Sequence, residues 1–187
     1  VSPEGKYLLL GNTYKEDGSA DKDGVSTTTK DENGNWKVPE AIKIPDYNNL
    51  STYANFYLGP KGDILIMAIQ DKNSVGDMDL YFSRYDSRTN SWSAPQNLGL
   101  SVNTPFAEDY PYIANDNQTL YFSSRGYVGY GGLDIMMTKR LDDTWTNWET
   151  PKNLGPMINT KRDDKGFVIA NDGEHAFYNS PGPDTSM

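Results

Sequence analysis

The sequence has no cysteine and a single histidine, His175. The first absence excludes disulfides, thiolate metal centres and cysteine nucleophiles, and makes the chain independent of redox state, which suits an envelope compartment. The second leaves a Ser-His-Asp arrangement only one base to use, and no Gly-x-Ser-x-Gly nucleophile elbow occurs. Cationic residues are scarce: 17 Lys and Arg stand against 26 Asp and Glu, for a net charge of -9. Clustered cations able to displace counterions from a nucleic acid or an anionic membrane are therefore missing, and no nucleic-acid partner is expected. Long apolar runs are also lacking. The longest, residues 7–10 and 64–69, are far below the roughly 20 residues of a membrane-spanning helix, and no segment keeps a 3.6-residue period. No signal peptide or lipidation motif is present, but the first residue falls inside a repeat, so an upstream segment is expected.

What the chain has instead is turn formers and strand formers. Its 17 Gly and 11 Pro punctuate a sequence carrying 13 Tyr, six Phe and four Trp, the composition of many short strands joined by turns. These strands repeat. The stretch PYIANDNQTLYFSSR, residues 111–125, reads as a hairpin, and the same design recurs at 56–70, 167–179 and in the opening residues 1–11. Pro3, Pro60, Asn115 and Asn171 hold one turn position, at spacings of 57, 55 and 56 residues. Trp36, Trp92 and Trp148, each followed three residues later by Pro39, Pro95 or Pro151, fix a 56-residue register independently. A period of this length marks a supersecondary module rather than a whole domain.

Each period predicts four strands. The first enters the hairpin turn. The second is apolar at successive positions (Leu8 to Leu10, Leu65 to Met67, Leu120 to Phe122), so both of its faces must be buried. The third opens with Asp79 or Asp134. The fourth carries the Trp, as in residues 36–44, with Pro39 marking an outer edge. Stacked four-stranded sheets covered on both faces, arranged radially, meet these requirements, so the fold predicted is an all-β propeller with antiparallel blades. The divisions expected are a partial blade over residues 1–57, blades over 58–112 and 113–167, and a partial blade over 168–187. About three and a third periods fall short of the roughly four blades that close a ring. The chain is thus expected to be an incomplete propeller, a segment of a larger one with unpaired edges at both ends.

The [Pro/Asn]-[acidic or Lys]-[Gly/Asn] turn before an apolar strand, the GGLDI stretch at 131–135, Trp-x-x-Pro-x-Asn-Leu-Gly at 92–99 and 148–155, and Ile-Asn-Thr at 158–160 together resemble the WD40-like, TolB-type propeller repeats. They are most similar to those of OmpA-family envelope proteins of the Bacteroidota, including the periplasmic propeller component of the type IX secretion system. The resemblance covers the whole chain and is strongest over residues 58–166. It implies a protein-interaction scaffold in the periplasm, associated with the outer membrane and serving a secretion or gliding assembly. The partners it implies are other cell-envelope proteins, with peptidoglycan reached only through a domain outside this chain. A carbohydrate-binding or carbohydrate-active propeller is the alternative.

Candidate sites follow from position. Asp79 and Asp134, with Glu108 and Asp164, recur once per repeat, which points to blade geometry, the carboxylates accepting backbone amides; a ring of carboxylates at a channel mouth is the functional reading. The loop 17–24 spaces Ser19, Asp21 and Asp23 as a calcium loop begins, but Lys30 stands where the bidentate Glu belongs. No metal, cofactor or catalytic residue is expected, and the chain is read as not an enzyme; His175 is a strand position of the repeat. The long loops and crossings all lie on one face. There Arg125, Tyr127 and Tyr130, set among glycines, are the candidate binding residues, because exposed aromatics on a glycine frame make good anchors.

Overall fold

The computed structural model describes residues 7–181. Over them the protein is all-β, with no helix among the described residues. The strands are β1 (Tyr7–Gly11), β2 (Val25–Thr29), β3 (Glu40–Ala41), β4 (Asn55–Leu58), β5 (Ile64–Ile69), β6 (Asp79–Asp86), β7 (Ser91–Trp92), β8 (Gln96–Asn97), β9 (Glu108–Ile113), β10 (Thr119–Ser124), β11 (Asp134–Lys139), β12 (Lys152–Asn153), β13 (Lys165–Ile169) and β14 (Ala176–Asn179). They form separate antiparallel sheets, none closed: β1-β2-β3, then β4-β5-β6-β7 with β8 also on β6, then β9-β10-β11-β12, then β13-β14. The opening hairpin turn at Pro3 lies outside the described residues.

The doubly apolar second strands are buried where a sheet stands on either side. Every residue of β5 is buried. Leu65, Met67 and Ile69 face the first sheet with Val25, while Ile64, Ile66 and Ala68 face the third with Ile113, Leu120 and Phe122. At about 1.5–3 kcal/mol for each large side chain removed from water, these two layers dominate the stability of the stack. The equivalent β14 at the far end is exposed throughout.

The strand expected over residues 36–44 is corrected to two short pieces. Trp36 makes an isolated bridge to Lys30, and pairing resumes only at Glu40–Ala41. The other repeats divide in the same way, and the cause is local. The residue after each Trp donates its N–H to the third strand (Lys37 to Thr29 O, Ser93 to Arg84 O, Glu149 to Lys139 O). Its own carbonyl accepts a strand hydroxyl, from Thr28 at 2.7 Å, Ser83 at 2.7 Å and Thr138 at 2.6 Å. Two residues further on, proline has no N–H to give and the ladder stops. The three Trp share the register but not the environment: Trp148 is buried and Trp36 is 39% exposed.

The strands that enter the hairpin turns lie side by side, β4 against β9 and β9 against β13, and β1, a second strand of its repeat, lies beside β4. Tyr57 donates to Ile113 O and Tyr112 to Ile169 O, both at 3.1 Å, tying the second sheet to the third and the third to the fourth. At one end stand the hairpin turns, which share one geometry: Gly59 N bonds Ile64 O, Ala114 N bonds Thr119 O, and Ala170 N bonds His175 O. Each turn needs a left-handed residue, met by Gly62, Asn117 and Gly173 at φ 72°, 56° and 72°. At the other end, long loops meet the crossings between sheets.

Candidate functional site

The loops at the crossing end are glycine-rich because backbone passes close to them. A Cβ on Gly76 would stand 2.4 Å from Pro105, and one on Gly131 would stand 2.5 Å from Lys161. The crossings are held by a polar framework that occurs twice. Asn97 Nδ2 donates to Asp79 Oδ2 at 2.7 Å, Asn103 Nδ2 donates to Asn97 Oδ1 at 2.8 Å, and Asn103 Oδ1 accepts from Leu80 N at 2.8 Å. In the next sheet Asn153, Asp134, Asn159 and Ile135 repeat these bonds. Thr104 then caps Glu108, and Thr160 caps Asp164, through N–H and hydroxyl. The Asn-Leu-Gly and Asn-Thr motifs and the recurrent carboxylates are thus one network, which spacing alone did not join. Asp79 also takes the amide of Val75, and Asp134 that of Tyr130.

The candidate binding residues are placed differently from one another. Arg125 is exposed and pairs with Asp163 at 3.4 Å; Asp163 also pairs with Lys165 at 3.1 Å. The amide of Leu133, then Lys165 and Arg125, hold the Asp163 carboxyl below the usual range. Tyr130 is 47% exposed beside Val128 at 97%. Tyr127 is corrected from exposed anchor to structural tether. Its ring packs edge-on to Phe122, and its hydroxyl donates to Ser101 O and Val102 O at 3.1 and 2.9 Å. Tyr127→Phe is expected to lower unfolding free energy by about 1 kcal/mol, since those carbonyls lose a donor, as measured by urea titration.

His175 Nδ1 lies 2.7 Å from Asp172 Oδ2, in the place where Thr119 Oγ1 meets Asp116 Oδ2 at 2.6 Å one repeat earlier. The imidazole thus closes a turn. His175→Thr is expected to leave stability within about 0.5 kcal/mol of wild type by the same titration. In the 17–24 loop, Asp23 accepts from Tyr47 Oη at 3.1 Å and Asp17 from Ser19, so two of its carboxylates serve the local fold.

One row escaped the sequence reading. Asn55, Asp109 and Lys165 occupy the same register position on β4, β9 and β13, opposite Ala68, Ser123 and Asn179. Asn55 Nδ2 donates to Asp109 Oδ1 at 2.8 Å. Burial pushes the Asp109 carboxyl up, with Lys165 opposing. Tyr110 and Gly166, the next residues, both take left-handed backbone at φ 51° and 67° and bend their strands. The signal available in the sequence was the contrast of Asn, Asp and Lys at one repeat position.

No family model and no curated protein matches this chain. Among solved structures it is similar to an alpha-L-arabinofuranosidase from Lactobacillus brevis, at 16% identity and TM-score 0.49, over 92% of this chain and 59% of that one. The chain thus spans about three fifths of that enzyme's length. The expectation that the chain is not an enzyme is corrected to no statement either way, the solved chain similar to it being an enzyme. At this level of likeness no activity is carried over.

Proposed function

We propose that the sheets are blades of a β-propeller and that the chain serves as a rigid protein-interaction scaffold of the bacterial cell envelope. The location read for it is periplasmic, at the outer membrane, and its partners are other envelope proteins of a secretion or gliding assembly, of the OmpA-family type in the Bacteroidota. The observation that carries this reading is the crossing face. Loops and crossings there are fixed by the doubled Asn-Asp network, while Val128 and Tyr130 project from the same frame. A surface ordered before it meets a partner loses little conformational freedom on binding. The resemblance of the repeats supports the compartment and the assembly, and any attachment to peptidoglycan is assigned to a domain outside this chain.

The test is site-specific photo-crosslinking in a Bacteroidota host, with the probe at position 128 on the crossing face or at position 115 on the turn face. An outer-membrane-associated protein is expected on the first probe and not the second, in the periplasmic fraction. A chain confined to the cytoplasm, or equal crosslinking from both faces, overturns the reading.

A further inference from the structure

The loops and crossings that meet at one end of the sheets do not share one charge. On the side of the first two sheets, the loops 12–24 and 71–77 and the crossing 45–54 hold seven carboxylates against three lysines. On the side of the last two, residues 125–132 and 154–165 hold Arg125, Lys161, Arg162 and Lys165 against Asp163 and Asp164. Asp164 is fully buried and taken by Thr160, and Asp163 is held between Arg125 and Lys165. Lys161 and Arg162 are exposed. In a chain of net charge -9, this half of the end is locally cationic. The crossing 98–107, between the two halves, carries no charge.

Large apolar side chains stand exposed on the same half. Leu100 is 78% and Met157 89% exposed, and Val128 and Tyr130 project from the loop between them. These positions adjoin one another. Tyr127 ties the loop to the crossing at Ser101 and Val102 on one side. On the other side a Cβ on Gly129 would meet the Asn153 amide at 3.3 Å, and Gly132 N donates to Arg162 O at 3.2 Å. The loop is therefore packed between the two crossings, which puts its apolar side chains beside Leu100 and Met157 and sets Lys161 and Arg162 at their margin. An apolar centre within a charged rim is the anatomy of a protein-binding surface.

The distribution of charge selects the occupant. A cationic rim attracts carboxylates, while the apolar centre disfavours a ligand charged along its whole length. A planar anionic membrane would have to meet the acidic half of the same end as well, and is repelled there. A second copy offers the acidic loop 12–24, but that loop carries Tyr14 alone among large apolar residues. An extended peptide covers the cationic half and nothing else. We propose that this half docks a partner segment in which Asp or Glu is interspersed with aliphatic or aromatic side chains. The inference rests on the scaffold reading and gives the chemistry of its partner.

The test selects a random peptide library on the full chain and titrates the synthetic form of the most enriched peptide. Enriched sequences are expected to mix Asp or Glu with aliphatic or aromatic residues, and affinity should fall about threefold as salt rises from about 50 to about 200 mM. Lys161→Glu and Val128→Ser are each expected to weaken binding about fivefold; both side chains are exposed, so the fold tolerates the changes. Asp21→Lys, on the acidic half, should leave affinity within about twofold. Enrichment of basic or uncharged sequences, wild-type affinity in both variants, or no enrichment overturns the proposal. So does co-sedimentation with phosphatidylglycerol vesicles, or self-association of the chain, that the same two variants abolish. A basic segment crosslinked at position 128 in the host would remove this inference and leave the scaffold reading standing. Peptide binding intact with no crosslink from that position would instead count against the scaffold alone.

Discussion

Replacing Asn103 by Ala is expected to lower the unfolding free energy by about 2–3 kcal/mol, and Asn159→Ala by a similar amount, in urea titrations followed by tryptophan fluorescence. Asn103 is 2% exposed, and its side-chain amide behaves as an extra peptide group. It accepts from Leu80 N at 2.8 Å and donates to Leu80 O at 2.9 Å, so that β6 is paired on the side where the crossing leaves the sheet. Leu80 O keeps a second donor, Leu98 N at 3.0 Å, but Leu80 N has no replacement. Alanine therefore strands one buried amide, which costs about 1–3 kcal/mol, and leaves a small void against the Asn97 side chain. Asn103→Asp is the sharper comparison. It keeps the acceptor for Leu80 N, yet sets a carboxylate oxygen against Leu80 O and Asn97 Oδ1, so it should be at least as damaging. A loss below about 0.5 kcal/mol in both alanine variants would mean that the network follows the crossing rather than fixing it.

The sequence made some of these relations legible and concealed others, for physical reasons. Strands such as β5 and β10 could be read because burial on both faces demands successive apolar residues, and the turns because left-handed backbone demands Gly or Asn. The fourth strand was overextended at residues 36–44 because β propensity does not record that Pro39 ends a ladder. Trp145 was missed since it stands off the 56-residue register: it is 3% exposed, stacks near Phe82 of the preceding sheet at 6.2 Å and lies under Arg140 at 4.7 Å. Arg84 meanwhile reaches across to the carbonyl of Asp143, so the loop acts as a latch between sheets. Tyr127 shows the opposite error. A tyrosine among glycines looks exposed in one dimension, but the crossing that receives its hydroxyl is some 25 residues away. The Asn55, Asp109, Lys165 row was hidden because a repeat search rewards identity, and these positions are equivalent only in the strand register.

Stability should fall as pH rises from about 4.5 to about 7, and the fall should be smaller in Glu108→Gln, which leaves only the part due to groups such as Asp109. Glu108 is fully buried at the start of β9. Its carboxyl accepts from Ser124 Oγ at 2.6 Å, Thr104 Oγ1 at 2.7 Å and Thr104 N at 2.8 Å, three bonds that favour the charged form. Burial outweighs them, with Asp79 adding repulsion, and the pKa is pushed up to about 7 from 4.5. The folded state then binds more protons than the unfolded chain between those values, so the slope of stability against pH is negative there. Below about 4.5 both states are protonated and the penalty vanishes; above about 7 both are ionised and it is complete. A displacement of this size corresponds to on the order of 3 kcal/mol at 1.36 kcal/mol per unit. Glutamine fits the same bonds, its oxygen taking Thr104 N and its amide donating to the two hydroxyls, either of which can accept. Wild type and Glu108→Gln should therefore converge below about pH 4.5 and separate by pH 8, with the variant the more stable, in urea titrations at each pH. Parallel profiles across that range would show that the three hydrogen bonds, rather than burial, set the charge on Glu108.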